Sequence, residues 1–170
     1  MQTTLRLYNL SYNDTKTYLA STLFVIGNIA LPQLAHLIPQ GGMTLLPIYF
    51  FTLIGAYKYG WQTGMLTAIA SPIVNSLLFG MPILAAMPAI LTKSIILALA
   101  AGFVAHHTKK VSVPLLILIV MTYQLIGTLA EWGIKGDFYL AIQDFRIGVP
   151  GMLIQIFGGY VTIKYLLAKL

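Results

Sequence analysis

Long apolar stretches alternate along this chain with short polar or glycine–proline breaks. The first apolar stretch runs from about 17 to 38, and Pro39-Gln40-Gly41-Gly42 reads as a turn after it. A shorter stretch covers 44–59 and stops at Gly60. The next covers 61–79 and is broken by Gly80-Met81-Pro82. The fourth covers 83–105 with Pro88 inside it, and His106-His107-Thr108-Lys109-Lys110 makes a polar connection. The fifth covers 113–132, and a longer loop from Gly133 to Phe145 leads to the sixth, at 147–167. A bilayer core of roughly 30 Å takes about 20 apolar residues of helix. The pattern therefore predicts an all-α integral membrane protein: a bundle of six transmembrane helices, one domain over residues 1–170. Residues 1–15 are polar and do not read as a cleavable signal peptide.

Composition agrees. Charged residues make up 8% of the chain and hydrophobic ones 58%, against about 25% charged in soluble domains. Positive charge near span ends marks the cytoplasmic side. With the N-terminus inside, the inner connections hold Arg6, Lys16, Lys58, Lys109, Lys110, Lys164 and Lys169, and the outer ones hold only Lys135 and Arg146. Both termini are thus expected in the cytoplasm. The net charge of +6 then suits anionic lipid rather than nucleic acid. With no cysteine, disulfide and thiol chemistry are excluded.

Enzyme motifs are missing: no His-Glu-x-x-His, no Gly-x-Ser-x-Gly, no phosphate-binding glycine loop. The reading is a non-enzyme without cofactor or metal, unable to power transport alone. His106 and His107 point about 100° apart on a helix and read as loop residues.

Polar residues inside apolar spans carry more information, because each is costly in lipid. Lys93 sits about ten residues into the fourth span. It needs a counter-ion, for which Glu131 is the candidate, or a ligand. A second set falls in the outer half under this topology: His36, Gln40, Asn75, Gln124, Glu131, Trp132, Asp144, Arg146 and Gln155. Their coincidence suggests a pocket open to the outside. There Trp132, Tyr123 or Phe145 would stack on a ring and the amides would read polar edges. Lys93 or Arg146 would hold an anionic group, or Glu131 or Asp144 a cationic one. Ala20, Ser21 and Gly27 are small residues suited to close helix contact, within the bundle or with a partner subunit.

One run is distinctive: Leu46-Pro47-Ile48, then Leu53-Ile54-Gly55-Ala56-Tyr57-Lys58-Tyr59-Gly60, followed by Gly64, Asn75, Leu78-Phe79-Gly80 and Ala101-Gly102. With the size and six apolar stretches, this run resembles the substrate-binding S-component of energy-coupling factor (ECF) transporters. The resemblance implies capture of a vitamin or related micronutrient beneath outer loops. It also implies association with a transmembrane coupling subunit and ATP-hydrolysing subunits. In that family an Ala-x-x-x-Ala spacing in the first span often meets the coupling subunit. Here Phe24 follows Ala20 by four, and Ala35 follows Ala30 by five, so the docking residues differ. The alternative is a non-transport scaffold similar to the rod-shape-determining membrane protein, which would need no outer pocket.

Overall fold

The computed structural model describes residues 7–167 and is all-helical there. Arg6 and Lys169, which entered the charge count, lie outside the described residues. The long helices are α1 (Thr15–Ala35), α4 (Trp61–Phe79), α5 (Met87–Thr108) and α6 (Val113–Lys135). Shorter ones are α2 (Gly41–Leu45), α3 (Phe50–Tyr59), α7 (Phe138–Ala141), α8 (Gln143–Ile147), α9 (Val149–Leu153) and α10 (Gly159–Val161).

Among the described residues, three helices are long and apolar enough to cross a membrane: Thr15–Ala35, Leu84–Thr108 and Val113–Lys135. The chain is a membrane-embedded helical protein, and its inside-out polarity supports this. Leu19, Leu23, Leu77, Phe103 and Leu129 are exposed, whereas Thr17, Asn28, Thr52, Thr67, Ser71, Lys93 and Gln155 are buried. Water would not tolerate so large an apolar exterior on a lone soluble chain.

Local chemistry accounts for most boundaries. Gly60 alone separates α3 from α4, at φ 103°, a conformation that glycine adopts without a Cβ penalty. Gly80 and Gly136 cap α4 and α6 in the left-handed region. Pro88 and Pro114 sit in the first turns of α5 and α6, where a missing N–H costs nothing. Pro88 therefore begins a helix after the 3-10 turn Leu84–Ala86 and does not interrupt one.

Three stretches differ from expectation. The second predicted span is composite: α2, then Leu46 at φ 47°, a 3-10 turn at Pro47–Tyr49, and the ten-residue α3. The loop expected over 133–145 is mostly helical, since α6 continues to Lys135 and α7 and α8 follow. The last segment is no regular α-helix, because π-helical turns at Ile154–Gly158 and Thr162–Leu166 flank α10.

Small residues let the helices approach. A Cβ on Gly64 would lie 2.3 Å from Ala56 Cβ, and one on Gly102 would lie 2.4 Å from Trp61 Cβ. These are backbone-close contacts of the kind that pack helices in membranes. Asn28 joins three helices. Its Nδ2 donates to Thr52 Oγ1 (3.0 Å) and Ser71 Oγ (3.2 Å), and its Oδ1 accepts from the Phe51 amide (3.1 Å). Phe51 lies in the first turn of α3, so that amide has no intrahelical acceptor.

Candidate functional site

The site grows from one crossing of α5 and α6. Gly127 on α6 leaves a notch: a Cβ there would fall 2.5 Å from Lys93 Cγ. The aliphatic stem of Lys93 passes through this notch. Its Nζ then reaches Glu131 Oε2 at 2.6 Å and Asp144 Oδ2 at 2.8 Å. Lys135, one turn beyond Glu131, holds the other carboxylate oxygen at 2.5 Å. The result is a row of alternating charge, Asp144–Lys93–Glu131–Lys135. Lys93 is 3% exposed, Glu131 9%, Asp144 15% and Lys135 29%, so the row is most buried at Lys93 and more exposed at both ends, Asp144 and Lys135. Taking such charges out of water is costly unless each is paired, and here each is.

Polar groups line the adjoining interior. Gln124, Thr128 and Glu131 share one face of α6 with Gly127, at helical spacing. Gln124 is fully buried; its amide interacts with the neighbouring Tyr123 hydroxyl, but neither its Nε2 nor its Oε1 reaches good hydrogen-bond geometry with any group among the described residues. The Thr128 hydroxyl is buried without a hydrogen-bond partner there. Buried orphan groups of this kind cost about 1–3 kcal/mol each. The rings of Tyr49 and Tyr123 pack 5.3 Å apart, both buried. The Tyr123 hydroxyl donates to Gln155 Oε1 at 2.8 Å, and Gln155 Nε2 faces the Leu46 carbonyl at 3.5 Å. Gln155 thus spans from a π-helical turn to the break in the second segment. Gly148 and Gly151 allow that break close approach: a Cβ on Gly151 would sit 2.5 Å from Leu45 backbone atoms.

The ten residues expected to line a pocket therefore fall into three groups. Lys93, Glu131 and Asp144 meet directly; Gln124 lies buried on α6 with Glu131, and Gln155 lies buried in the last segment, where Tyr123 of α6 donates to it. Asn75 is buried elsewhere, donating to the Asn28 and Ser71 carbonyls at 2.9 and 3.0 Å, where it clamps α4 to α1. His36, Gln40, Trp132 and Arg146 are exposed. His36 caps α1, and the Gln40 carbonyl accepts from the amides of Met43 and Thr44. Trp132 packs edge-on against Phe138 at 5.2 Å, and the Arg146 guanidinium lies 3.7 Å over the Tyr139 ring. These last two contacts fasten α7 and α8 over the end of α6. Gln143 also donates to the Met43 sulfur, tying α8 to α2.

Of the candidate docking residues, Ser21 and Gly27 face inward. The Ser21 hydroxyl donates to Thr17 and Thr63 carbonyls, and a Cβ on Gly27 would lie 2.6 Å from the Phe51 ring. Ala20 is half-buried against the core.

Sequence reasoning missed Lys135 as a member of the charge row, although its i,i+4 spacing from Glu131 is a standard helix signal. It also missed Tyr49 and Thr128. Among the described residues no three His, Asp or Glu side chains gather as metal ligands. Fold and site together define a membrane-embedded helical protein with a neutralised charge row and a poorly satisfied amide in its interior. No protein-family model, curated protein or solved structure matches the chain.

Proposed function

We propose that this chain is the substrate-binding membrane component of an ECF-type transporter. It captures a vitamin or related micronutrient on the outer side for uptake across a prokaryotic cytoplasmic membrane. Six crossings are assigned to α1, to α2 with α3, to α4, to α5, to α6, and to the last segment, 147–167, which includes α9, α10 and the two π-helical turns. Both termini are cytoplasmic, by the seven-to-two charge count.

The observation that carries the reading is Lys93, buried between carboxylates of α6 and α8, with the buried Gln124 amide on the same face of α6 as Glu131. Ion pairs in lipid add little net stability, and intramembrane ionisable residues mark ligand pathways by default. A ligand entering here would supply the well-aligned partners Gln124 and Thr128 lack, and its charged group would compete for Lys93. The short α7 and α8, fastened by Trp132 and Arg146, are the natural cover. A transmembrane coupling subunit with its ATPases would meet the exposed apolar face of α1, including Leu19, Leu23 and Ile26, because Ser21 and Gly27 are spent on internal packing.

Mass spectrometry of small molecules co-purifying with the protein in mild detergent tests this. One species at near-stoichiometric yield, lost in Lys93→Met/Asp144→Asn, is expected. An empty preparation, together with no uptake in cells supplied with a coupling module, would refute the reading.

A further inference from the structure

A second feature lies on the opposite half of α5 and α6 and plays no part in the proposed site. A groove of about 800 Å³ opens outward between these helices, with Leu99, Phe103, Leu118, Thr122 and Ile126 among its walls and Trp61 beside it. It follows α5 from Ile96 to His107. At 1.5 Å per residue that is roughly 17 Å, close to half of a hydrocarbon core of about 30 Å. The groove thus has the length of one leaflet's acyl chain. Gly102 helps shape it by letting α5 sit against the backbone of Trp61.

One end of the groove is basic. His106 and His107 line it, and Lys109 and Lys110 follow directly. The turn that carries them is held in place. The buried Tyr57 donates its hydroxyl to the Lys110 carbonyl at 2.5 Å, and Thr108 bonds back to the Val104 carbonyl at 2.8 Å. Lys109 and Lys110 are exposed and form no ion pair among the described residues, in contrast to Lys93 and Lys135. Trp61, edge-on to Tyr12 at 5.9 Å, provides an interfacial aromatic at the same level.

From this length and charge we infer that the groove is a binding site for an anionic phospholipid. An acyl chain lies along Leu99, Phe103 and Ile126, and the phosphate-bearing headgroup meets Lys109 and Lys110. The inference is independent of the transport reading and of which leaflet the basic turn faces.

Trp61 reports on the site directly. The chain has two tryptophans, so Trp132→Phe leaves Trp61 as the sole fluorophore. This protein is placed in phosphatidylcholine nanodiscs doped with chain-brominated phosphatidylglycerol or with chain-brominated phosphatidylcholine. Two lysines beside an anionic headgroup give roughly a thirtyfold preference. Half-maximal quenching is therefore expected at roughly thirtyfold lower mole fraction of the anionic lipid. Lys109→Gln/Lys110→Gln, at two exposed positions, should erase that difference. Thr122→Phe, which fills the groove, should erase it while leaving the lysines in place. Equal quenching by the two lipids overturns the inference, as does a preference that survives either variant.

Discussion

Gly127 and Lys93 share one space: the hydrogen atom of the glycine occupies the position where any side chain would strike Lys93 Cγ at 2.5 Å. Everything that Lys93 does at its charged end depends on this passage. Gly127→Leu is expected to lower stability by roughly 1–3 kcal/mol through overpacking. Gly127→Ala should cost less, because alanine recovers part of the helix propensity that glycine gives up. Thermal unfolding in detergent, followed by circular dichroism, ranks the two; equal stability of Gly127→Leu and the parent would contradict the close passage.

The two carboxylates around Lys93 are not equivalent. Glu131 keeps Lys135 when Lys93 is removed, whereas Asp144 has no other ion-pair partner among the described residues. Lys93→Met should thus destabilise by about 3–5 kcal/mol, the cost of a stranded buried charge. Adding Asp144→Asn should restore most of that loss, and adding Glu131→Gln should restore less. The opposite ranking in a denaturation series would show that Glu131 is the main counter-ion.

Asn28 offers a test of the polar clamp between α1, α3 and α4. Its side chain makes three hydrogen bonds to other helices. At about 0.6 kcal/mol for each such bond inside a membrane, Asn28→Leu should cost roughly 2 kcal/mol. The charge row proposed as the binding site should be unaffected once the variant has folded.

Topology can be read chemically, since the chain has no cysteine to remove. Lys109→Cys and Gly136→Cys lie at opposite ends of α5 and α6. A membrane-impermeant thiol reagent should label Gly136→Cys in intact cells, and Lys109→Cys only after permeabilisation. Labelling of both from the same side would break the six-crossing assignment.

The helical character and most breaks were legible because each has a local cause. Gly60 and Gly80 act where they stand, and the α4 boundaries match the apolar stretch at 61–79. The Lys93–Glu131 pair was legible for a similar reason: a lone base deep in an apolar run requires an acid at like depth. Asp144 was placed in the outer cluster but not against Lys93, since nothing in a polar loop reveals that α8 folds back onto α5. The helicity of that loop had one local sign, as Asp137 caps α7 by accepting from the Leu140 amide at 3.1 Å. The π-helical turns of the last segment left no trace in the apolar pattern, which shows burial but not the choice of hydrogen-bond partner. Asn28 escaped notice because a single amide barely changes the hydropathy of a long stretch, although its three side-chain bonds make it a hub.

Two lysines and two carboxylates in one row sum to zero. If the row is the proposed binding site, electroneutrality in a low-dielectric interior restricts what can enter. A guest that is neutral as a whole, such as a zwitterion, exchanges partners with the row and leaves the balance intact. A lone monoanion that takes Lys93 would strand a carboxylate and leave one uncompensated negative charge in the interior, a cost that a zwitterion of the same shape avoids. Competition between a zwitterion and its singly charged analogue would therefore report the charge preference of the row before any guest is identified.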